Sequence, residues 1–254
     1  MAFLGEVLAV LIGLALGMVG GGGALLAVPT LVYVLGVPTV AATGGSLVVV
    51  GASSLIGALG YARRGFIDTR ALLAFGLPSI AGVWVARAWC LPALPHTLAG
   101  VPRDTVLMVF FAGLMLLAAW RMLKPQPLTG PRRSRKELGL RGFVVGGVTG
   151  MVGAGGGFLI VPALALGAGL GLSQAVATSL AIIALNSGIG LVASVHGAGL
   201  PETGLLLRFG GAVVVGMLIG LRLAPHVPGE KLRPVFAWFI GLLGLAVLAA
   251  EFFK

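Results

Sequence analysis

Charge is what this chain has least of. Charged side chains make up only 9% of its residues, against about 25% in ordinary soluble domains. So few charges cannot clothe a water-facing surface. With 58% hydrophobic residues and a mean hydropathy of +1.11, the chain meets lipid over most of its exterior. The single cysteine, Cys90, excludes an intrachain disulfide and reads as a small apolar packing residue. Apart from Glu6, no apolar segment carries a carboxylate in its middle, so neither a carboxylate proton relay nor a carboxylate cation cage is evident. The three histidines, His96, His196 and His226, stand at segment ends without metal-ligand spacing. There is no His-Glu-x-x-His, no aspartate pair and no nucleophile elbow, so an intramembrane hydrolase has no visible machinery. No cofactor and no metal site is expected. The first residues lack a basic stretch and carry Glu6, so a cleaved signal peptide is not expected either.

What the chain does have is glycine, 43 residues of it, and small residues let membrane helices approach closely. Its net charge of +10 comes from basic residues lying mostly between apolar segments. There they orient a membrane protein and meet anionic headgroups, so nucleic acid is not an expected partner. A spanning helix takes about 20 predominantly apolar residues. Candidate segments are 3–19 with 23–36, 39–62, 69–91, 104–123, 141–152 with 156–170, 173–196, 203–224 and 232–252. The expected fold is an all-α polytopic membrane protein of about eight hydrophobic segments. A basic linker, 124–140, separates a first membrane repeat (1–123) from a second (141–254). Arg132, Arg133, Arg135 and Lys136 place that linker in the cytoplasm.

The halves repeat one another. Met18-Val19-Gly20 matches Met151-Val152-Gly153, and Val28-Pro29 matches Val161-Pro162, at an offset of 133. "VAATGGSLVVVGASSLIG" corresponds to "AVATSLAIIALNSGIG", "GFID" at 65–68 to "GLPE" at 199–202, and Gly82 to Gly216 at an offset of 134. If every segment crosses the membrane, the copies are parallel. If each glycine-broken segment dips in and returns, each half crosses three times and the second copy is inverted. The basic residues score the two topologies almost equally. Inverted repeats with broken helices recur among transporters, and the inverted arrangement is the expectation here.

Each half opens with the same break, "GMVGGGGALLAVP" at 17–29 and "GMVGAGGGFLIVP" at 150–162. Glycine costs about 1 kcal/mol relative to alanine in a helix interior, and a break inside lipid frees backbone groups that must line a polar cavity or be buried in protein. Two half-helices beginning near Gly23 and Gly156 would aim bare N–H groups and positive dipole ends at an anion, with Gly20, Gly21, Gly22, Gly23, Gly153, Gly155, Gly156 and Gly157 as its expected binding residues. Close helix packing or a kink is the alternative. Neither copy has the Lys-Ser/Thr that ends a nucleotide-binding P-loop. Uncharged donors follow: Thr43, Ser46, Ser53 and Ser54 in one half, Thr178, Ser179, Asn186 and Ser187 in the other. They can complete an anion's hydrogen-bond shell, or bond within and between helices. Asn186 is the foremost among them, because a buried amide needs several partners. Arg87 and Arg208 could line an anion path, but both lie within reach of a segment end, where snorkelling to the interface is expected.

A glycine-rich break before apolar-Val-Pro, then "AVATSL", a polar pair and Gly-x-Pro/Ile-Glu/Asp, twice over, resembles the sulfite exporter TauE/SafE family of membrane transporters. The resemblance covers the chain apart from its linker. It implies a secondary carrier, embedded in the lipid bilayer of a bacterial or archaeal cytoplasmic membrane, for sulfite, sulfonates or related sulfur-containing anions. The expected mechanism, from the paired broken helices, is alternating access around one anion held near the midplane between the repeats. The rival reading is an anion channel, or a carrier of a non-sulfur organic anion. One departure stands out: "ATGGSL" at 42–47 separates the Thr and Ser that the second copy keeps adjacent as Thr178-Ser179.

Overall fold

The computed structural model describes residues 2–95, 97–98, 100–124, 134–152, 157–194, 201–226 and 229–252, and these are almost wholly helical. Helix α1 (Ala2–Val19) ends at the first glycine run, and a tight turn over Gly21–Gly23 leads into α2 (Ala24–Val34). Here the chain doubles back. A β-carbon on Gly23 would strike Ile12 O, and one on Gly5 would lie 2.8 Å from Leu35 Cδ2, so α2 returns along α1. The second half does the same, with α6 (Arg135–Val152) leading to α7 (Gly157–Gly167). A β-carbon on Gly167 would come within 3.2 Å of Leu138 Cδ1, near the start of α6.

Between and after these hairpins stand α3 (Thr39–Ala62), α4 (Thr69–Ala93), α5 (Arg103–Leu123), α8 (Leu172–Ser194), α9 (Thr203–Leu223) and α10 (Gly229–Phe252). Among the described residues, five helices, α3, α4, α5, α8 and α9, are long and apolar enough to cross a membrane. A short antiparallel ladder that the sequence reading did not anticipate, β1 (Thr97–Leu98) with β2 (Val101–Pro102), joins α4 to α5. Asp68 caps α4, its Oδ1 accepting the Ala71 N–H at 2.8 Å.

Helix α6 begins inside the stretch expected to be linker. Ser134 Oγ accepts the Glu137 N–H at 3.3 Å, and this Ser-x-x-Glu start is the capping-box pattern. The cap lets the helix begin in polar sequence, ahead of its apolar run. Of the expected linker, 125–133 lies outside the described residues.

Lipid tails are as apolar as leucine, so membrane helices associate through close van der Waals contact at small residues. That is how this bundle is held. Helices α1 and α9 run side by side in the same direction: a β-carbon on Gly13 would overlap Val213 O, and one on Gly17 would lie 2.6 Å from Met217 O. Helices α6 and α4 repeat the arrangement, with Gly146 against Ser79 O and Gly150 at 2.8 Å from Val83 O. Helices α3 and α8 instead run antiparallel, Gly190 meeting Leu47, Gly51 meeting Ser187 and Gly57 meeting Leu180. Antiparallel too are α5 and α10, where Gly241 meets Ala119 and Gly244 meets Met115. Phe75, Phe111, Leu25 and Leu180 are fully buried between the helices, while Trp89, Leu207 and Trp238 point outward.

Candidate functional site

The site begins where the two glycine breaks meet. Gly20 donates the last regular bond of α1, to Leu16 O at 3.0 Å. Its own backbone turns to φ 77°, ψ −138°, a conformation that side chains rarely tolerate. Gly21, the next residue, lies backbone to backbone against Gly157. A β-carbon on either would overlap the Cα of the other. Gly21 opens the turn into α2 and Gly157 opens α7, so both half-helices start at one point from opposite halves of the chain. Their positive dipole ends are therefore brought together, an arrangement suited to an anion. Gly22 and Gly23 complete the turn into α2. Gly153, Gly155 and Gly156 lie outside the described residues.

The expected polar side chains that the structure places are buried, but most of their protons are engaged locally. A hydroxyl has one proton to give. Thr43 gives its own to Val40 O at 2.8 Å, Ser46 to Thr43 O at 2.9 Å, Ser53 to Val49 O at 2.7 Å and Ser179 to Val176 O at 2.8 Å. These are bonds back into the preceding helical turn. Thr178 differs: its Oγ1 accepts the Asp68 N–H at 3.0 Å and so ties α8 to the start of α4. Asn186 Nδ2 donates to Ser79 Oγ at 2.7 Å across α8 and α4. Among the described residues, Asn186 Oδ1, Ser187 Oγ and Ser54 Oγ are buried without a partner. Buried polar atoms of this kind call for water or a ligand. Close contacts bring Ser179 against Gly20 and Ser187 against Gly51, whereas Asn186 faces Ser79.

Two residues acquire a role that sequence reasoning missed. Arg87, expected at the interface, is only 2% exposed. Its Nε donates to Gly150 O at 2.9 Å and its terminal Nη2 to Thr43 O at 3.4 Å. Gly150 lies in the last turn of α6, where helix carbonyls present a negative dipole end that favours a cation. The signal was available in the helix periodicity: Ser79 and Val83, eight and four residues earlier, form the face packed on α6. Around Arg87 the helix widens to i→i+5 turns over Ala86–Cys90, a distortion frequent at functional sites. Arg208 is exposed, beside Glu6 in a shallow cavity. Glu251, the second missed residue, is 8% exposed and accepts the Tyr33 hydroxyl at 2.7 Å, linking α10 to the half-helix α2.

Comparison with known proteins places this geometry in context. The family model for the sulfite exporter TauE/SafE matches residues 7–247. A probable membrane transporter protein of Xylella fastidiosa (strain Temecula1) is 29% identical over 251 residues, covering 93% of this chain and 89% of the relative. A probable membrane transporter protein of Methanocaldococcus jannaschii is 24% identical over 262 residues, covering 95% and 94%. No solved structure matches.

Proposed function

Because this chain belongs to the sulfite exporter TauE/SafE family and is a multi-pass membrane transporter, we propose that it is a secondary carrier of small sulfur-containing oxyanions. The substrate class is sulfite, sulfonates or related anions, and the membrane is the cytoplasmic membrane of a bacterium or archaeon. One observation carries the proposed site. Gly21 and Gly157 touch, and with them the starts of α2 and α7. Bare N–H groups at two convergent half-helix ends suit the acceptor oxygens of an oxyanion. Asn186, Ser187 and Thr178 are the uncharged donors that complete its shell in this reading, while Thr43, Ser46, Ser53 and Ser179 reach the anion by rotating away from their own helices.

The mechanism is alternating access between two inverted four-segment repeats, one rocking against the other around a fixed anion. The helix directions support inversion over parallel duplication. Corresponding helices α3 and α8 run antiparallel, as do α5 and α10. A two-fold axis in the membrane plane relates antiparallel mates, whereas an axis along the membrane normal relates parallel ones. The doubling back of α1–α2 and of α6–α7 supplies the odd number of crossings that inversion needs.

Thermal-shift titration of the purified protein with sulfite, sulfate, thiosulfate and short sulfonates tests the substrate class. Stabilisation by sulfur oxyanions, together with saturable flux in proteoliposomes, is the expected result. If no anion stabilises the protein, the anion site is wrong. Unsaturable conductance would instead make it a channel.

A further inference from the structure

The two glycine breaks occupy matching places in the two halves, and the side chains that reach them differ. Gly17 and Gly150 stand 133 residues apart, at the corresponding point of each break. Gly17 O accepts the Tyr61 hydroxyl at 3.4 Å, from α3. Gly150 O accepts Arg87 Nε at 2.9 Å, from α4. The surrounding packing is otherwise matched: Gly17 abuts Met217 and Gly150 abuts Val83, positions related by the offset of 134. The same offset carries Arg87 to Leu221, whose backbone N would lie 2.8 Å from a β-carbon on Gly17. One break is therefore reached by a guanidinium and its counterpart by a phenol. The difference is one of charge as well as shape.

We infer that Arg87 is the residue that fixes the valence and the position of the bound anion, drawing it to the second break and favouring dianions over monoanions. The inference rests on the anion-carrier reading above and adds to it an asymmetry between the half-sites. An arginine held at 2% exposure remains charged at any physiological pH, and in a low-dielectric interior its field is weakly screened. Its bonds to Gly150 O and Thr43 O fix the fork between α6 and α3, so the charge is held at the end of α6, where the second break begins, rather than left to roam. A doubly charged oxyanion gains more from that field than a singly charged one of similar size. The tyrosine at the first break offers no such gain.

The test compares sulfate with methanesulfonate, whose charges are fixed across the working pH range, by thermal shift and by equilibrium binding in detergent. In Arg87→Gln, sulfate affinity is expected to fall by about tenfold or more, the scale of a lost charged contact. The fall for methanesulfonate should be smaller. Tyr61→Phe is expected to leave both affinities unchanged. Arg87→Lys provides the readout that a merely structural role would not move: it keeps the positive charge and loses the planar fork. Folded Arg87→Lys is expected to keep the preference for sulfate over methanesulfonate that Arg87→Gln loses, even where both variants melt below the native protein. Loss of that preference in folded Arg87→Lys overturns the inference, also where Arg87→Gln does not fold. So does an unchanged sulfate preference in folded Arg87→Gln. If neither anion stabilises the native protein, it is the carrier reading that fails.

Discussion

Gly21 and Gly157 share one contact in which each leaves no room for a β-carbon on the other. The turn that leads into α2 and the start of α7 are therefore as close as two backbones can come. Adding a methyl at either position has to push the half-helices apart. Gly21→Ala and Gly157→Ala are each expected to lower stability by roughly 1–3 kcal/mol, the usual range for overpacking, and to abolish anion-dependent stabilisation. Gly113→Ala in α5, where a β-carbon meets nothing within 4 Å, serves as the control. It should be neutral or slightly stabilising, since alanine suits a helix interior better than glycine. Equal behaviour of all three variants in a melting assay would remove the significance of the contact.

Asn186 and Ser79 separate a structural role from a binding one. The amide has two donors, and one of them goes to Ser79 Oγ. Ser79→Ala removes that internal partner alone and should cost about 1 kcal/mol of stability with anion affinity kept. Asn186→Leu removes the donor proposed for the anion as well, and affinity should drop by roughly tenfold or more, the worth of a hydrogen bond to a charged group. Titration calorimetry on both variants decides the matter. Matching affinities would make Asn186 a packing residue.

How far the sequence could be read depended on whether a feature was local. The apolar runs gave long helices at Thr39–Ala62 and Thr203–Leu223, because run length and hydropathy are properties of one segment. The glycine clusters marked where helices stop, since a poor helix former acts where it stands. Their meeting at Gly21 and Gly157 is a tertiary event and leaves no trace in either segment. Arg87 was assigned to the interface by its distance from a segment end, which ignores the helix face that Ser79 and Val83 share with it. The start of α6 was hidden by basic residues that read as linker, although Ser134 and Glu137 already carried the capping signal. Where each hydroxyl proton goes, as for Ser53 and Ser179, is settled by rotamers that no pattern encodes.

Thr178 holds the start of α4 in place by accepting the Asp68 N–H. Thr178→Val keeps the shape and removes the acceptor, leaving that donor unsatisfied at a cost of about 1–3 kcal/mol. Thr178→Ser restores the acceptor and should melt with the native protein. Because Thr178 still has a proton to give, anion affinity is expected to weaken in the valine variant and recover in the serine variant. A valine variant that melts and binds as the native protein does would show that neither bond matters.

Inversion makes a prediction that parallel duplication contradicts, at Gly171 between α7 and α8. With the linker in the cytoplasm, an α6–α7 hairpin that dips and returns leaves position 171 on the cytoplasmic side. A simple crossing would put it outside. Position 101, between α4 and α5, is outside in both arrangements and serves as the reference. Both sites suit a probe: Val101 is 41% exposed, and a β-carbon on Gly171 meets nothing within 4 Å. In a Cys90→Ser background, which removes the single native thiol, Val101→Cys should react with a membrane-impermeant maleimide added to intact cells. Gly171→Cys should react only after the membrane is opened. Labelling of Gly171→Cys in intact cells would mean that α6 and α7 cross as one segment, that the repeats are parallel, and that the two half-helices cannot face one another across the midplane as the carrier mechanism requires.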